Sequence, residues 1–237
     1  MSSKTPSDDK SHYFPQLRIP FCEAQPAIDT RWIALAGGPC SGKSTMSEIL
    51  SQRFSWPIMP DYAREIYEEA FERGKTHGYL EDNVAYFQRR ICTARLNFCY
   101  EADKAKVHLF DYGLPCDFAW HRYWKLKVNA NLRAACEQLR YKTVFLLEPL
   151  PMKHDAVRRD SIKRQQALYR QMQKAYKAFG YEVIDVPIFS DIPEKSIQRR
   201  LTFMTDHLAQ AGILRPQRAA FGLSAQNIGT PEKSRAA

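Results

Sequence analysis

Three glycines, a lysine and a hydroxyl side chain stand together in GGPCSGKS, residues 37–44, directly after the apolar run at residues 32–36. The segment has the spacing G-x-x-x-x-G-K-[ST] of a phosphate-binding loop. Glycines let successive backbone N–H groups turn inward around a phosphate, where side chains would obstruct them. A helix beginning near Lys43 would add unpaired N–H groups and the positive end of its dipole. The segment therefore predicts a cradle for a nucleoside triphosphate.

Three side chains would supply the charge and the metal ligands that this cradle needs. Lys43 supplies a mobile cation for the β- and γ-phosphates, and Ser44 offers its hydroxyl to Mg²⁺. Asp111 ends the apolar run VHLFD, where a carboxylate can reach the same metal directly or through water. We predict ATP and Mg²⁺ as cofactors, with GTP as the alternative, since no N-K-x-D guanine signature decides between the bases.

The acceptor side of a phosphoryl transfer must be found elsewhere in the chain. Asp61 follows a short strand-like run, so it should lie near the carboxyl edge of the sheet, where open α/β folds bind ligands. Its carboxylate could orient or deprotonate an acceptor hydroxyl, and Arg64 could hold an anionic group. The alternative is an ordinary helix N-cap with an i, i+3 salt bridge, which the spacing alone favours.

Two other segments have residue types that suit a kinase. Arg158 and Arg159 lie in the basic stretch after the run TVFLLE, where a loop could close over the nucleotide and bring an arginine to the transferring phosphoryl group. The alternative is a solvated charged face. The aromatic cluster WHRYW, residues 120–124, could stack on a heterocyclic acceptor, although a half-buried helix face is the simpler interpretation.

Strand-like and helical segments alternate along the chain. The strand candidates are nearly continuous apolar runs, as strands buried on both faces should be. Apolar residues at spacings of three and four predict helices over residues 84–98 and 162–179. This alternation predicts a parallel five-stranded sheet with helices on both faces, a three-layer α/β P-loop fold. The five predicted strands are residues 32–36, 57–60, 107–111, 143–148 and 181–186.

Composition and charge limit the function classes. The chain has 237 residues and a net charge of +9, and residues 31–211 alone hold 28 Lys and Arg against 21 Asp and Glu. This basic core suits polyanionic ligands such as nucleotides, phosphorylated substrates, anionic lipid or nucleic acid, although it could serve solubility alone. No apolar run approaches the roughly 18 residues of a membrane span.

Domain boundaries follow from composition. Residues 1–27 and 212–237 are polar and without periodicity, which predicts two flexible tails, the second one basic, around a P-loop kinase domain at residues 28–211. The N-terminal segment has no secretory or organellar signal, so the expected location is the cytoplasm. Six cysteines without a C-x-x-C pair indicate reduced, mostly buried thiols.

The order of these motifs resembles a known family. Five segments occur in this order: GGPCSGKST, DYAREI, LFDYGLPCDFAW, VFLLEPLP and the ending GYEVIDVP. Together they are similar to P-loop AAA-type ATPase/kinase domains. This family includes the ribosylnicotinamide kinase domain of NadR and the nucleotide-binding domain of CYTH-linked, GTP-binding trafficking proteins. The resemblance covers about residues 31–205. The resemblance implies a nucleoside-kinase-like fold. It departs at Tyr112-Gly113, because many relatives carry an Asp-Arg pair after the third strand. The departure implies either a different acceptor or nucleotide binding without fast transfer.

The resemblance implies roles for particular positions. Asp61 and Arg64 would act on the acceptor side, and Arg158 or Arg159 would be a lid arginine. Ser44 and Asp111 would support the metal. The nucleotide site would comprise Gly38, Pro39, Cys40, Ser41, Gly42, Lys43, Ser44 and Thr45.

Three function classes are compatible with these residues. The first is a kinase that transfers the γ-phosphoryl group of Mg-ATP to a small hydroxyl-bearing molecule, a reaction that needs mostly positioning and electrostatics. The second is a nucleotide-dependent switch with slow hydrolysis that docks on a protein or anionic lipid. The third is a phosphotransferase that acts on nucleic-acid ends. The sequence favours the first.

Overall fold

The computed structural model describes residues 26–151 and 161–214. Their largest sheet has five parallel strands in the order β3-β4-β2-β6-β7, which confirms the predicted sheet. A second, two-stranded parallel sheet joins β1 and β5 and was not predicted. The strands are β1 Ile28–Asp29, β2 Ile33–Ala36, β3 Ile58–Met59, β4 Leu109–Asp111, β5 Leu139–Arg140, β6 Thr143–Leu147 and β7 Ile184–Val186.

Eight helices connect or flank these strands in the described ranges. The predicted helices over residues 84–98 and 162–179 correspond to α4 and α7. The bounds are α1 Lys43–Phe54, α2 Tyr62–Glu72, α3 His77–Asp82, α4 Val84–Glu101, α5 Leu114–Tyr123, α6 Ala130–Gln138, α7 Ile162–Ala178 and α8 Pro193–Gln210.

The sheet is covered on both faces, which explains why its strands are apolar throughout. Ile33 and Leu35 of β2 belong to a core cluster that includes Met46 of α1 and Met204 of α8. Ala34 and Ala36 belong to a second cluster, which includes residues of α4, α5, α6 and α7. Successive side chains of a strand point to opposite faces, so β2 contributes to both clusters. The fold is therefore the three-layer α/β arrangement expected of P-loop kinases.

The topology brings the chemical segments to one edge. Strand β2 lies between β4 and β6, and β3 lies beside β4. The phosphate-binding loop leaves β2, Asp61 follows β3, and Asp111 ends β4. Because all three strands are parallel neighbours, their carboxyl ends meet at one edge, where open α/β sheets bind ligands.

Some expectations lie outside the described residues. Arg158 and Arg159 are among them, as are most of the two predicted tails. None of the helices described between residues 26 and 214 is long and apolar enough to cross a membrane. Five cysteines lie in the same ranges, and the four on helices, Cys92, Cys99, Cys116 and Cys136, are buried thiols.

Candidate active site

The conformation of the phosphate-binding loop depends on its glycines. Gly42 precedes α1 with φ of 84°, in the left-handed region that glycine adopts without steric penalty. A Cβ atom on Gly38 would stand only 2.6 Å from the carbonyl oxygen of Gln165 in α7. The loop therefore needs one glycine for its dihedral angles and another for close packing against α7.

Two buried side chains hold this loop from outside. Arg200 of α8 donates hydrogen bonds to the carbonyl oxygen of Ser41 (2.8 Å) and to those of Glu148 and Pro187 (2.9 Å each). The amide nitrogen of Gln165 donates to the carbonyl oxygens of Pro39 and Leu150, at 2.8 and 2.9 Å. Because these hydrogen bonds hold carbonyl groups of the loop on its outer side, they favour a conformation in which the backbone N–H groups of the loop point toward the phosphate site.

The role of these two residues was not predicted from the sequence, although both stand out in the sequence pattern. Gln165 is the one polar side chain in the apolar stripe that predicts α7, and Arg200 is the second arginine of the run SIQRRL. Both side chains are almost fully buried. A polar group on the inner face of a helix indicates a buried hydrogen-bonding role, but it does not reveal the partner.

We expect Arg200→Leu to weaken ATP binding about tenfold or more, because charged hydrogen bonds to three carbonyl groups are lost together. Isothermal titration with Mg-ATP measures this effect. Arg199→Leu is the matched control, since Arg199 is exposed and donates a hydrogen bond to the carbonyl oxygen of Phe189. Equal affinities of the two variants would contradict the role of Arg200.

Lys43 lies inside the loop. Its ammonium group donates to the carbonyl oxygen of Gly38 (2.9 Å) and to Oγ of Ser41 (3.1 Å), and it is only 5% exposed. It also stands 4.3 Å from the centre of the Tyr112 ring. The positive charge predicted for the phosphates is thus already held at the centre of the cradle.

Ser44 and Asp111 meet as the predicted metal site requires. Oγ of Ser44 donates to Oδ2 of Asp111 at 2.6 Å, while the buried Oδ1 has no hydrogen-bond partner in the described chain. Burial raises the pKa of Asp111, and Lys43 and Ser44 oppose that rise. A hydroxyl beside a buried, incompletely satisfied carboxylate is a donor set that suits a hard divalent cation. The residues present therefore fit Mg²⁺.

Asp61 caps α2, as the structural alternative predicted. Its Oδ1 accepts a hydrogen bond from the backbone N–H of Arg64 at 3.2 Å. The guanidinium of Arg64 pairs with Glu68 at 3.3 Å, one turn further along α2. Asp61 is also close enough to act electrostatically on both Asp111 and Arg95, since it raises the pKa of each. The N-cap role is therefore compatible with a place in the site.

A cavity of about 310 Å³ lies between the phosphate-binding loop and helices α2 to α5. Pro39 of the loop, Tyr112 after β4, and both Asp61 and Arg64 contribute to its wall. The cavity is large enough for a small organic molecule. Its other wall residues are Ala63, Tyr67, His77, Leu80, Glu81, Val84, Gln88, Ile91, Arg95, Trp120, Trp124 and Arg164.

Two residues of the aromatic cluster at positions 120–124 lie at the cavity. Trp120 and Trp124 line the cavity and are half-buried. Arg164 also lines it and stands 4.9 Å from the Trp124 ring. Of the basic stretch that contains the predicted lid arginines, Arg164 is therefore the arginine that the described residues place at the cavity.

Buried polar groups on α4 and α5 were not identified from the sequence. Arg95 and Asp117 form an ion pair with side chains 2% and 0% exposed. Gln88 lies on the same face of α4 as Arg95, is 4% exposed and lines the cavity. The sequence indicates buried polar groups here only in that Gln88 and Arg95 stand beside the apolar positions 84, 87, 91 and 98 that predict α4.

Comparisons with known proteins agree with this architecture. A family model described as AAA domain matches residues 32–195. Among solved structures, NadR protein in complex with NR gives a TM-score of 0.55 at 16% identity, covering 80% of this chain and 53% of that one. Deoxyadenosine kinase from M. mycoides with bound dCTP gives 0.52 at 16% identity, covering 76% and 99%.

These comparisons define the fold and leave the reaction open. This chain spans about half the length of the NadR chain that it matches. At 16% identity, the likeness establishes a shared fold. Neither structure named here is a CYTH-linked protein, and the search of curated proteins found no match.

Proposed function

Because this chain belongs to the family described as AAA domain, whose model spans residues 32–195, we propose that it is an ATP-dependent kinase of a small, nucleoside-like molecule. The observation that carries the proposal is the cavity of about 310 Å³ that shares Pro39 with the phosphate-binding loop. A nucleotide in the phosphate-binding loop and an acceptor in the adjoining cavity would be neighbours, and this arrangement suits phosphoryl transfer between two small molecules.

The wall of the cavity supports a flat heterocyclic acceptor. Trp120 and Tyr67 offer aromatic surface for stacking. Gln88 presents an amide, which can donate and accept in one plane as the edge of a nucleobase or a carboxamide does. The solved structures of similar fold include NadR in complex with NR and a deoxyadenosine kinase.

Arg95, one member of the buried ion pair, adds a polar group to the same wall. Nε of Arg95 and Oδ2 of Asp117 both lack hydrogen-bond partners in the described chain. A buried donor and a buried acceptor that stay unsatisfied each destabilise the protein. A ligand with a complementary polar edge would compensate for part of that penalty.

The reaction follows from the positions of the charged groups. The acceptor hydroxyl oxygen forms a bond to the γ-phosphorus, the bond from that phosphorus to the β,γ-bridging oxygen breaks, and ADP leaves. Asp61 accepts the hydroxyl proton, and Lys43 neutralises charge on the β- and γ-phosphates. Mg²⁺ held by Ser44 and Asp111 would add further positive charge when bound. Arg158 or Arg159 is proposed as the lid arginine, as the sequence predicts.

The test is ADP release from Mg-ATP with and without a panel of nucleosides, ribosides, amino alcohols and sugars. We expect stimulation by a nucleoside or riboside. Asp61→Asn should lower the stimulated rate about 100-fold or more, because the general base is lost. Asp206→Asn, an exposed position on α8, is the control and should leave the rate unchanged.

Two results would contradict the proposal. Stimulation that persists in Asp61→Asn would remove this carboxylate from the mechanism. ATP binding that depends on Lys43, with no response to any acceptor, would instead indicate the nucleotide-dependent switch. In that case, binding of a partner should change with the nucleotide bound.

A further inference from the structure

Tyr112 occupies an unusual position between the two halves of the site. It directly follows Asp111, and its half-buried side chain lines the acceptor cavity. Its backbone has φ of 75°, in the left-handed region that a bulky residue rarely adopts. The backbone N–H donates to the carbonyl oxygen of Leu35 at 3.2 Å. Strained backbone of this kind persists where the surrounding structure holds it and often marks a functional position.

Two cations from different parts of the site stand over the Tyr112 ring. The ammonium nitrogen of Lys43, from the phosphate-binding loop, is 4.3 Å from the ring centre. The guanidinium carbon of Arg95, from the wall of the cavity, is 5.3 Å from the same point. The negative face of an aromatic ring attracts a cation at such distances, and more strongly where water is excluded. The ring therefore connects the donor loop to the acceptor cavity.

The position of Lys43 must change when a nucleotide binds. Its ammonium group now contacts Gly38, Ser41 and the Tyr112 ring. A bound triphosphate attracts that ammonium group more strongly than neutral partners do, because the phosphate oxygens are negatively charged. Movement of Lys43 toward the phosphates uncovers part of the ring that it now occupies.

We propose that Tyr112 is a positioning residue that couples the two sites. In the absence of nucleotide its ring restrains Lys43, and ATP binding withdraws Lys43 and frees the ring to stack on the heterocycle of the acceptor. The acceptor then binds more tightly to the ATP-loaded protein, and by linkage ATP binds more tightly in the presence of acceptor. The acceptor part of this coupling rests on the proposed function, whereas the restraint on Lys43 does not.

The matched variants are Tyr112→Phe and Tyr112→Leu. Both lose the phenol hydroxyl and both place a non-glycine residue at the same strained φ, but only phenylalanine keeps an aromatic face. Isothermal titration with AMP-PNP should show binding about threefold or more tighter for Tyr112→Leu than for Tyr112→Phe, since leucine cannot restrain Lys43. Equal affinities of the two variants would overturn the restraint. Thermal unfolding of both variants establishes that each is folded.

The second arm measures coupling with deoxyadenosine as the probe. Its dissociation constant should fall about threefold or more when AMP-PNP is present, for the wild-type protein and for Tyr112→Phe, and should stay constant for Tyr112→Leu. The same shift in all three proteins, or no shift in the wild type, would overturn the coupling. If deoxyadenosine fails to bind while AMP-PNP binds normally, the nucleoside-like acceptor is wrong, and the first arm still decides the role of Tyr112.

Discussion

Lys43→Ala is expected to lower kcat for acceptor-stimulated ADP release by about 100- to 1000-fold, the effect of removing one preorganised charge from a phosphoryl-transfer site. Lys43 is buried at the centre of the loop, and none of the described residues that line the cavity is a lysine. Since the charge on the γ-phosphoryl oxygens must be neutralised during transfer, kcat should fall more than ATP affinity does. Steady-state kinetics with the compound that stimulates ADP release in the acceptor panel measures both quantities.

The control for this variant is Lys177→Ala on the exposed face of α7, which should leave kcat unchanged. Circular dichroism should show the same secondary structure in both variants, since neither lysine contributes to the core. A Lys43→Ala protein with near wild-type kcat would exclude the loop from catalysis, and the triphosphate would then have to bind elsewhere.

Arg95→Met is expected to lower the free energy of unfolding by about 3–5 kcal/mol, because it leaves the carboxylate of Asp117 buried without its partner. Burial already raises the pKa of Asp117, and Arg95 is the main group that opposes this rise. The double variant Arg95→Met with Asp117→Leu should recover most of the lost stability, since neither charge then remains inside. Urea unfolding monitored by tryptophan fluorescence measures all three proteins.

The exposed pair of Arg133 and Glu137, one turn apart at 3.8 Å, provides the comparison. Arg133→Met should change the free energy of unfolding by less than about 1 kcal/mol, as expected for a solvated ion pair. If Arg95→Met proves equally mild, water must reach Asp117 through the cavity. In the double variant, acceptor stimulation should be lost although the protein is folded, which would separate the stabilising role of the pair from its role in binding.

Much of the fold could be predicted because its signals are local. The central strands β2 and β6 are almost wholly apolar runs, and covering both faces of a parallel sheet requires that pattern. GGPCSGKS specifies its own backbone geometry, and Asp111 could be assigned because the end of a strand is visible in the sequence. The small sheet of β1 and β5 was missed, since two-residue strands give no periodic pattern.

Asp61 shows which features of a site residue can be predicted from neighbouring residues in the sequence and which cannot. Its spacing to Arg64 predicted an N-cap, and the structure has that cap. Its place in the wall of the cavity depends on how α2 packs against α4, which residues near Asp61 do not encode. One side chain thus serves a local structural role and also lies in the candidate site.

The sequence by itself determined the strands, the phosphate-binding loop and the carboxylates at the strand ends, because each depends on residues that are close together in the chain. Only the tertiary structure brought Gln88 and Arg95 to the cavity, paired Arg95 with Asp117, and attached Arg200 to the loop from 159 positions away. Arg95 and Arg200 are buried on their helices, and their partners come from other segments of the chain. Which groups meet is decided by the packing of whole helices, and this is why the cavity emerged only from the folded chain.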